Sequence, residues 1–143
     1  MTTPRTLHTT PVPAPTLSAA DELTVVAWRD PVVEHAPGAI LTASDDALVW
    51  YVPSVGTIGM VMAHRLARHA TDGPSRWTIE DIARTFGMGV SSRRVVHVLD
   101  RLERFGIIRR HDRVLAVRLW LAPLTYRQRC QLPGYLAAAY DAR

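Results

Sequence analysis

At 143 residues the chain is one domain's length, enough to bury roughly two thirds of its unfolded surface in a single core. All 17 basic residues are arginine and the formal charge is +4. A lone Cys130 excludes an intrachain disulfide, no CxxC or Cys/His cluster offers a zinc site, and no apolar run nears a membrane span or a signal-peptide core.

In chain order, residues 1–20 (MTTPRTLHTTPVPAPTLSAA) are rich in Thr and Pro with too little apolar matter to repay ordering, so they are expected to form a disordered tail. A single domain is expected over 21–143. From Leu23 to Trp28 (LTVVAW) the residues favour an extended run, and Asp30-Pro31 with Ala36-Pro37-Gly38 mark turns. Ala47 to Val52 (ALVWYV), set between Asp45-Asp46 and Pro53, reads as a strand or an irregular segment laid over the core. Trp28, Trp50 and Tyr51 are either plain core, the commoner fate of such aromatics, or the lining of a pocket for a small-molecule effector.

Ser54 is suited to cap a first helix over 54–70, in which Val55, Ile58, Met62 and Leu66 recur with helical spacing. Gly56 and Gly59 in its first two turns each cost about 1 kcal/mol in propensity, which points to close packing there. His64 and His69 lie five apart, turned about 140° from one another on a helix, and so make poor joint metal ligands. Residues 78–86 (TIEDIARTF) predict a short amphipathic helix with Ile79, Ile82, Ala83 and Phe86 inward. Its start is marked by Thr78 as cap, by Glu80 and Asp81 at the positive end of the dipole, and by Trp77 as a staple onto Ile82. Gly87 ends it.

After GMGV, residues 91–105 predict a second amphipathic helix. Val95, Leu99 and Leu102 form its stripe with Val98 and Phe105 beside them, and Arg93, His97, Asp100 and Arg104 fall on the opposite face. Together the two segments have the pattern of a helix-turn-helix. Gly106 stops the second helix, and 107–121 (IIRRHDRVLAVRLWL) reads as a hairpin around His111-Asp112, with Leu115, Val117, Leu119 and Leu121 on one face. Pro123 then breaks the chain before C-terminal helices over 125–143, separated by Pro133-Gly134. Leu132, Tyr135, Leu136 and Tyr140 either fold back on the core or pair with a second copy.

The strings IEDIARTFG and RRVVHVLDRLERFGIIRR resemble bacterial winged helix-turn-helix proteins, in which an LxxLxRLxxxGII-like helix leads straight into the wing. From Arg93 onward, the arginine-rich helix, FG, hairpin, LAPL-type turn and LPGYL segment are also similar to uncharacterised winged-helix proteins of high-GC bacteria. The absence of lysine and asparagine, whose codons begin AA, agrees with such a genome. The resemblance implies a mainly α fold with a small β-hairpin (α+β), built on a three-helix core plus a wing and a C-terminal helical tail. It speaks to fold more than to function.

Charge is unevenly placed: residues 76–143 carry net +7 and residues 1–75 net −3, so the basic half is the half with this pattern. In helix-turn-helix docking the N-terminal residues of the second helix meet base edges in the major groove. Here these are Ser91, Ser92, Arg93, Arg94 and His97. Arg93 and His97 are the expected base readers, since an arginine fork can bond O6 and N7 of guanine together. Arg94 and Arg101, on the flank of that face, suit backbone phosphate, and the hairpin tip adds Arg109, Arg110, His111 and Arg113. Solvated arginines and a charged turn are also ordinary surface features. An i,i+4 pair of Asp100 with Arg104 is the bland alternative for those two.

No GxSxG, P-loop, HExxH or GxGxxG stands in a suitable context, so no catalytic residues, no cofactor and no metal are assigned and the chain is not expected to be an enzyme. The leading expectation is a sequence-specific regulator of transcription that binds double-stranded DNA, as a homodimer, on the cytoplasmic nucleoid. The alternative is a winged-helix protein-interaction module of a replication, mobile-element or transcription complex.

Overall fold

A computed structural model describes residues 17–143. The elements in order are β1 (Glu22–Trp28), α1 (Pro31–Glu34), β2 (Ile40–Leu41), α2 (Asp45–Val55), α3 (Thr57–Thr71), β3 (Ser75–Thr78), α4 (Ile79–Thr85) and α5 (Ser92–Arg104). There follow β4 (Ile108–His111), β5 (Val114–Arg118), β6 (Trp120–Leu121), α6 (Tyr126–Cys130) and α7 (Gly134–Asp141). This is an α+β arrangement: seven helices among the described residues, a four-stranded sheet in the order β3-β1-β5-β4, and a two-stranded pair β2-β6.

The tail expected over 1–20 lies largely outside the described residues, but Leu17–Ala20 are part of the fold. Leu17 packs on the core, and the carbonyls of Ala19 and Asp21 accept from the amides of Glu80 and Ile79 at 3.0 and 2.9 Å. Those amides belong to the first turn of α4, where no intrahelical acceptor exists, so the incoming chain satisfies them.

The segment ALVWYV is a helix, which corrects the strand or irregular reading. Ser44 has extended backbone and accepts from the Ala47 amide, with Asp45 and Asp46 in the first turn. Ala47, Trp50, Tyr51, Ser54 and Val55 then fall on one buried stripe at helical spacing. The helix expected over 54–70 therefore begins later, and Ser54 is not its cap but lies in the last turn of α2. Gly56 separates α2 from α3 with φ 102° and ψ 156°, a conformation essentially restricted to glycine. Gly59 serves the other expectation: a Cβ built there would stand 3.4 Å from Leu102 Cδ2, so its missing side chain lets α3 approach α5.

One face of the four-stranded sheet packs on α3 and α5. Leu23 and Val25 of β1 with Leu115 and Val117 of β5 point into this core, where they meet Met62, Leu66, Val95, Leu99 and Leu102. β1 lies at the sheet's centre, antiparallel to β3 and parallel to β5. The hairpin of 107–121 is present as β4 and β5, turned at Asp112 (φ 52°), but its end departs to pair Leu121 with Ile40 and Trp120 with Leu41. Leu119 is consequently half-buried rather than continuing the alternation.

Candidate nucleic-acid interface

Local chemistry sets α5. Ser91 is extended and its hydroxyl accepts from the Arg94 amide at 3.3 Å, which fixes the first turn. Val95, Leu99 and Leu102 are fully buried with Val98 half-buried beside them, and Arg93, Arg94, His97, Asp100 and Arg104 are exposed. Met88 anchors the preceding turn: it is buried, and its amide donates to the Ala83 carbonyl at 2.7 Å. Gly106 ends the helix with φ 70° and directs the chain into β4.

The sequence-derived candidates separate into three groups. Arg93, Arg94 and His97 are exposed and, among the described residues, make no ion pair. Ser91 and Ser92 are half-buried at the helix start beside them. Arg104 belongs with this group, against the alternative that pairs it with Asp100. It too is exposed and outside every ion pair among the described residues, because Asp100 has a different partner. Its position seven residues after His97 on one helical face was the available signal.

The second group is engaged internally. Arg101 is not a phosphate contact in waiting: its Nε donates to the Val55 carbonyl at 2.6 Å and its Nη2 to the Ser54 carbonyl at 3.1 Å. These carbonyls close α2, where acceptors lack intrahelical donors and the dipole is negative, so a guanidinium is held there. Arg110 is likewise committed. Alternation along β4 turns it toward α5, where it donates to Glu103 at 2.8 Å and to Asp100, and its amide donates to Glu103 at 3.1 Å. Burial disfavours its charge, but the bonds from Glu103 and Asp100 outweigh that and hold its pKa above the ordinary arginine value. This arrangement takes Asp100 from the alternative i,i+4 pair with Arg104 and screens its carboxylate on the helix face.

The third group is the hairpin tip. Arg109 points to the opposite side of the sheet and lies 4.5 Å over the Trp28 ring, while Arg118 sits 3.6 Å over the same ring and bonds Asp30 at 2.9 Å. His111 is exposed, 3.4 Å from Asp112, and Arg113 is exposed with a 3.1 Å contact to Asp21. The Asp21 carboxyl is held below its usual range first by the Ser18 amide and then by Arg113.

Between α3 and α5 runs a surface groove of about 510 Å³, walled by Ile58, Met88 and Val98 and rimmed by Arg93, Arg94, His97 and Asp100. Of the two readings for Trp28, Trp50 and Tyr51, the core one holds for Trp50 and Tyr51, which are buried, and the three do not line one pocket. Trp28 is on the outer sheet face, and Trp50 is buried with its ring centroid 5.3 Å from that of Tyr140. Among the described residues no group of three His, Cys, Asp or Glu is placed to hold a metal ion, and His69 instead meets the Trp77 ring edge-on at 5.0 Å. No described helix is long and apolar enough to cross a membrane. Comparison of the chain with protein-family models, with curated proteins and with solved structures finds no match to any of them.

Proposed function

We propose that the chain is a winged helix-turn-helix protein that binds double-stranded DNA as a regulator of transcription, with α4 and α5 as the helix-turn-helix and β4-β5 as the wing. The observation that carries this reading is the exposed face of α5, where Arg93, Arg94, His97 and Arg104 make no ion pair among the described residues, on a helix whose Val95, Leu99 and Leu102 are fully buried. An arginine without an internal partner keeps both its charge and its planar fork for phosphate or guanine. From the wing, exposed Arg113 adds positive charge although it contacts Asp21, whereas Arg109 faces the other side of the sheet over Trp28 and Arg101 and Arg110 support the scaffold.

With three or four phosphates neutralised, the log of duplex affinity falls against log salt with a slope of about −3, at roughly 0.9 per contact. Fluorescence anisotropy on a random duplex, titrated from low salt, measures it. Absence of binding at 50 mM salt sinks the reading. The groove walled by Ile58, Met88 and Val98 beside the same arginines favours a second reading, docking of an acidic, partly apolar segment of another protein, and that reading is promoted by the same negative result. A two-fold arrangement of two copies on DNA is part of the proposal and is read from the stoichiometry of the titration.

A further inference from the structure

Two exposed helical stripes lie outside the face of α5. On α3, Ile58, Val61, Arg65 and Arg68 are exposed at helical spacing, so they form one outward line. Its first half is apolar, with Ile58 40% and Val61 41% exposed, and its second half is cationic. On α2, Asp45, Asp46, Val49 and Pro53 are exposed at the same kind of spacing, and Val49 is 42% exposed. Here the first end is anionic and the second apolar. The two helices pack on one another and are joined only by Gly56, with Pro53 and Ile58 exposed on either side of the joint. The apolar ends of both stripes therefore adjoin, and charges of opposite sign stand at the ends away from the joint.

A single exposed aliphatic side chain is ordinary, but three along two neighbouring helices, bordered by charge, have the composition of an interaction surface. The charged ends are uncommitted. Among the described residues none of Asp45, Asp46, Arg65 and Arg68 makes an ion pair. Asp45 and Asp46 suit the positive end of α2 through their position alone, so that role leaves their carboxylates free for a partner. Arg65 and Arg68 keep the end of α3 net positive even with Asp72 as its C-cap.

We infer that the chain pairs with a second copy of itself through α2 and α3. α2 of each copy lies antiparallel along α3 of the other, so that Asp45 and Asp46 meet the partner's Arg65 and the partner's Arg68, and Val49 meets the partner's Ile58 and the partner's Val61. One two-fold axis produces both halves of the contact, because the surface is its own complement. A purely acidic or purely basic partner satisfies only one end of it. The inference goes beyond the two-fold arrangement proposed on DNA, since it names a surface and needs no nucleic acid. Its failure leaves duplex affinity to be judged on its own titration.

Sedimentation velocity of the whole chain without DNA reads the pairing over about 10–300 µM, the range in which a modest interface dissociates. The wild type is expected to be a dimer at the top of that range and to dissociate several-fold more readily at about 0.5 M salt than at about 0.1 M, because surface charges are screened. Arg65→Glu/Arg68→Glu and, separately, Asp45→Arg/Asp46→Arg are each expected to sediment as monomers, since like charges then face one another. Mixed in equal amounts, the two variants are expected to dimerise again, because both halves of the contact regain opposite charges. No loss of fold can imitate that recovery. Val61→Arg, chosen because Ile58 also walls the α3–α5 groove, is expected to give a monomer at an unchanged melting temperature. A wild type that stays monomeric at the top concentration overturns the inference, as does a charge-reversed variant that dimerises as the wild type does, or a mixture of two folded variants that stays monomeric. Should Asp45→Arg/Asp46→Arg unfold, the other two variants decide: monomers in both uphold the inference, and a dimer in either overturns it.

Discussion

The Arg101 side chain reaches from the middle of α5 to the Val55 carbonyl, 46 residues earlier, and closes it with a 2.6 Å hydrogen bond. The neighbouring bond to Ser54 makes one guanidinium the terminal cap of α2, just where the chain breaks at Gly56. Arg101→Met is therefore expected to lower stability by about 1–2 kcal/mol, the value of hydrogen bonds to a charged group discounted for its exposure. The slope of duplex affinity against salt should be unchanged. Chemical denaturation and a salt titration of one variant check both halves, and a slope flattened by about one unit would return Arg101 to the DNA face.

Arg93→Ala is expected to behave oppositely. With no internal partner it should change stability by less than about 0.5 kcal/mol, while costing about 1–3 kcal/mol on a preferred duplex if it reads a guanine. Leu99→Ala, one face away and fully buried, is expected to lose about 2–5 kcal/mol of stability, because the cavity is lined by rigid helix and sheet and cannot easily collapse. Equal melting losses in these two variants would mean the faces of α5 are assigned wrongly.

Gly56→Ala is expected to destabilise by about 1–3 kcal/mol. Open space surrounds the position, with Arg101 Nε 4.0 Å from a built Cβ, so the cost arises from backbone strain at φ 102° and not from a clash. Gly134→Ala, with nothing within 4 Å of the built Cβ and no positive φ, provides the control and should be neutral or slightly stabilising. Similar melting temperatures for the two would remove the strain argument.

Acid should weaken the fold through its paired carboxylates. Asp30 is held below its ordinary pKa first by the bond from Arg118, Asp141 by Arg129, and Asp21 by the Ser18 amide and then Arg113. Depressed folded-state values mean that this stability is fully present above the unfolded carboxylate pKa of about 4 and is lost as pH falls through the lower folded values. The melting temperature is thus expected to be flat from about pH 7 to 5 and to fall below about pH 4. Asp30→Asn should make that fall shallower, and an unaltered acid limb in the variant counts against the Arg118 pair.

The legible parts of the chain were those governed by neighbours in sequence. The stripe Val95, Leu99 and Leu102, the cap at Thr78, the stop at Gly106 and the turn at His111-Asp112 all act within a few residues, and the structure has α4, α5 and the β4-β5 hairpin where those signals stand. The misread segment ALVWYV carried a local signal as well. Ser44 before Asp45-Asp46 is a helix start, but a run of Val, Trp and Tyr ahead of Pro53 resembles a strand more than a helix.

The periodicity of α4 and α5 and their caps at Thr78 and Ser91 were determined by the sequence alone, because each depends on side chains one turn apart. The partner of each arginine was decided by the tertiary structure. Arg93, Arg101 and Arg110 are equivalent as residues. Only the approach of α2 to α5, and the inward turn of β4, commits Arg101 to the carbonyls of Ser54 and Val55 and Arg110 to Glu103 and Asp100, leaving Arg93 to solvent. The sheet order is of the same kind: β1 joins β5 in parallel register, Thr24 opposite Val114, across ninety residues of chain. No local pattern encodes such a pairing, since it becomes favourable only when the apolar faces of both strands are buried together on α3 and α5.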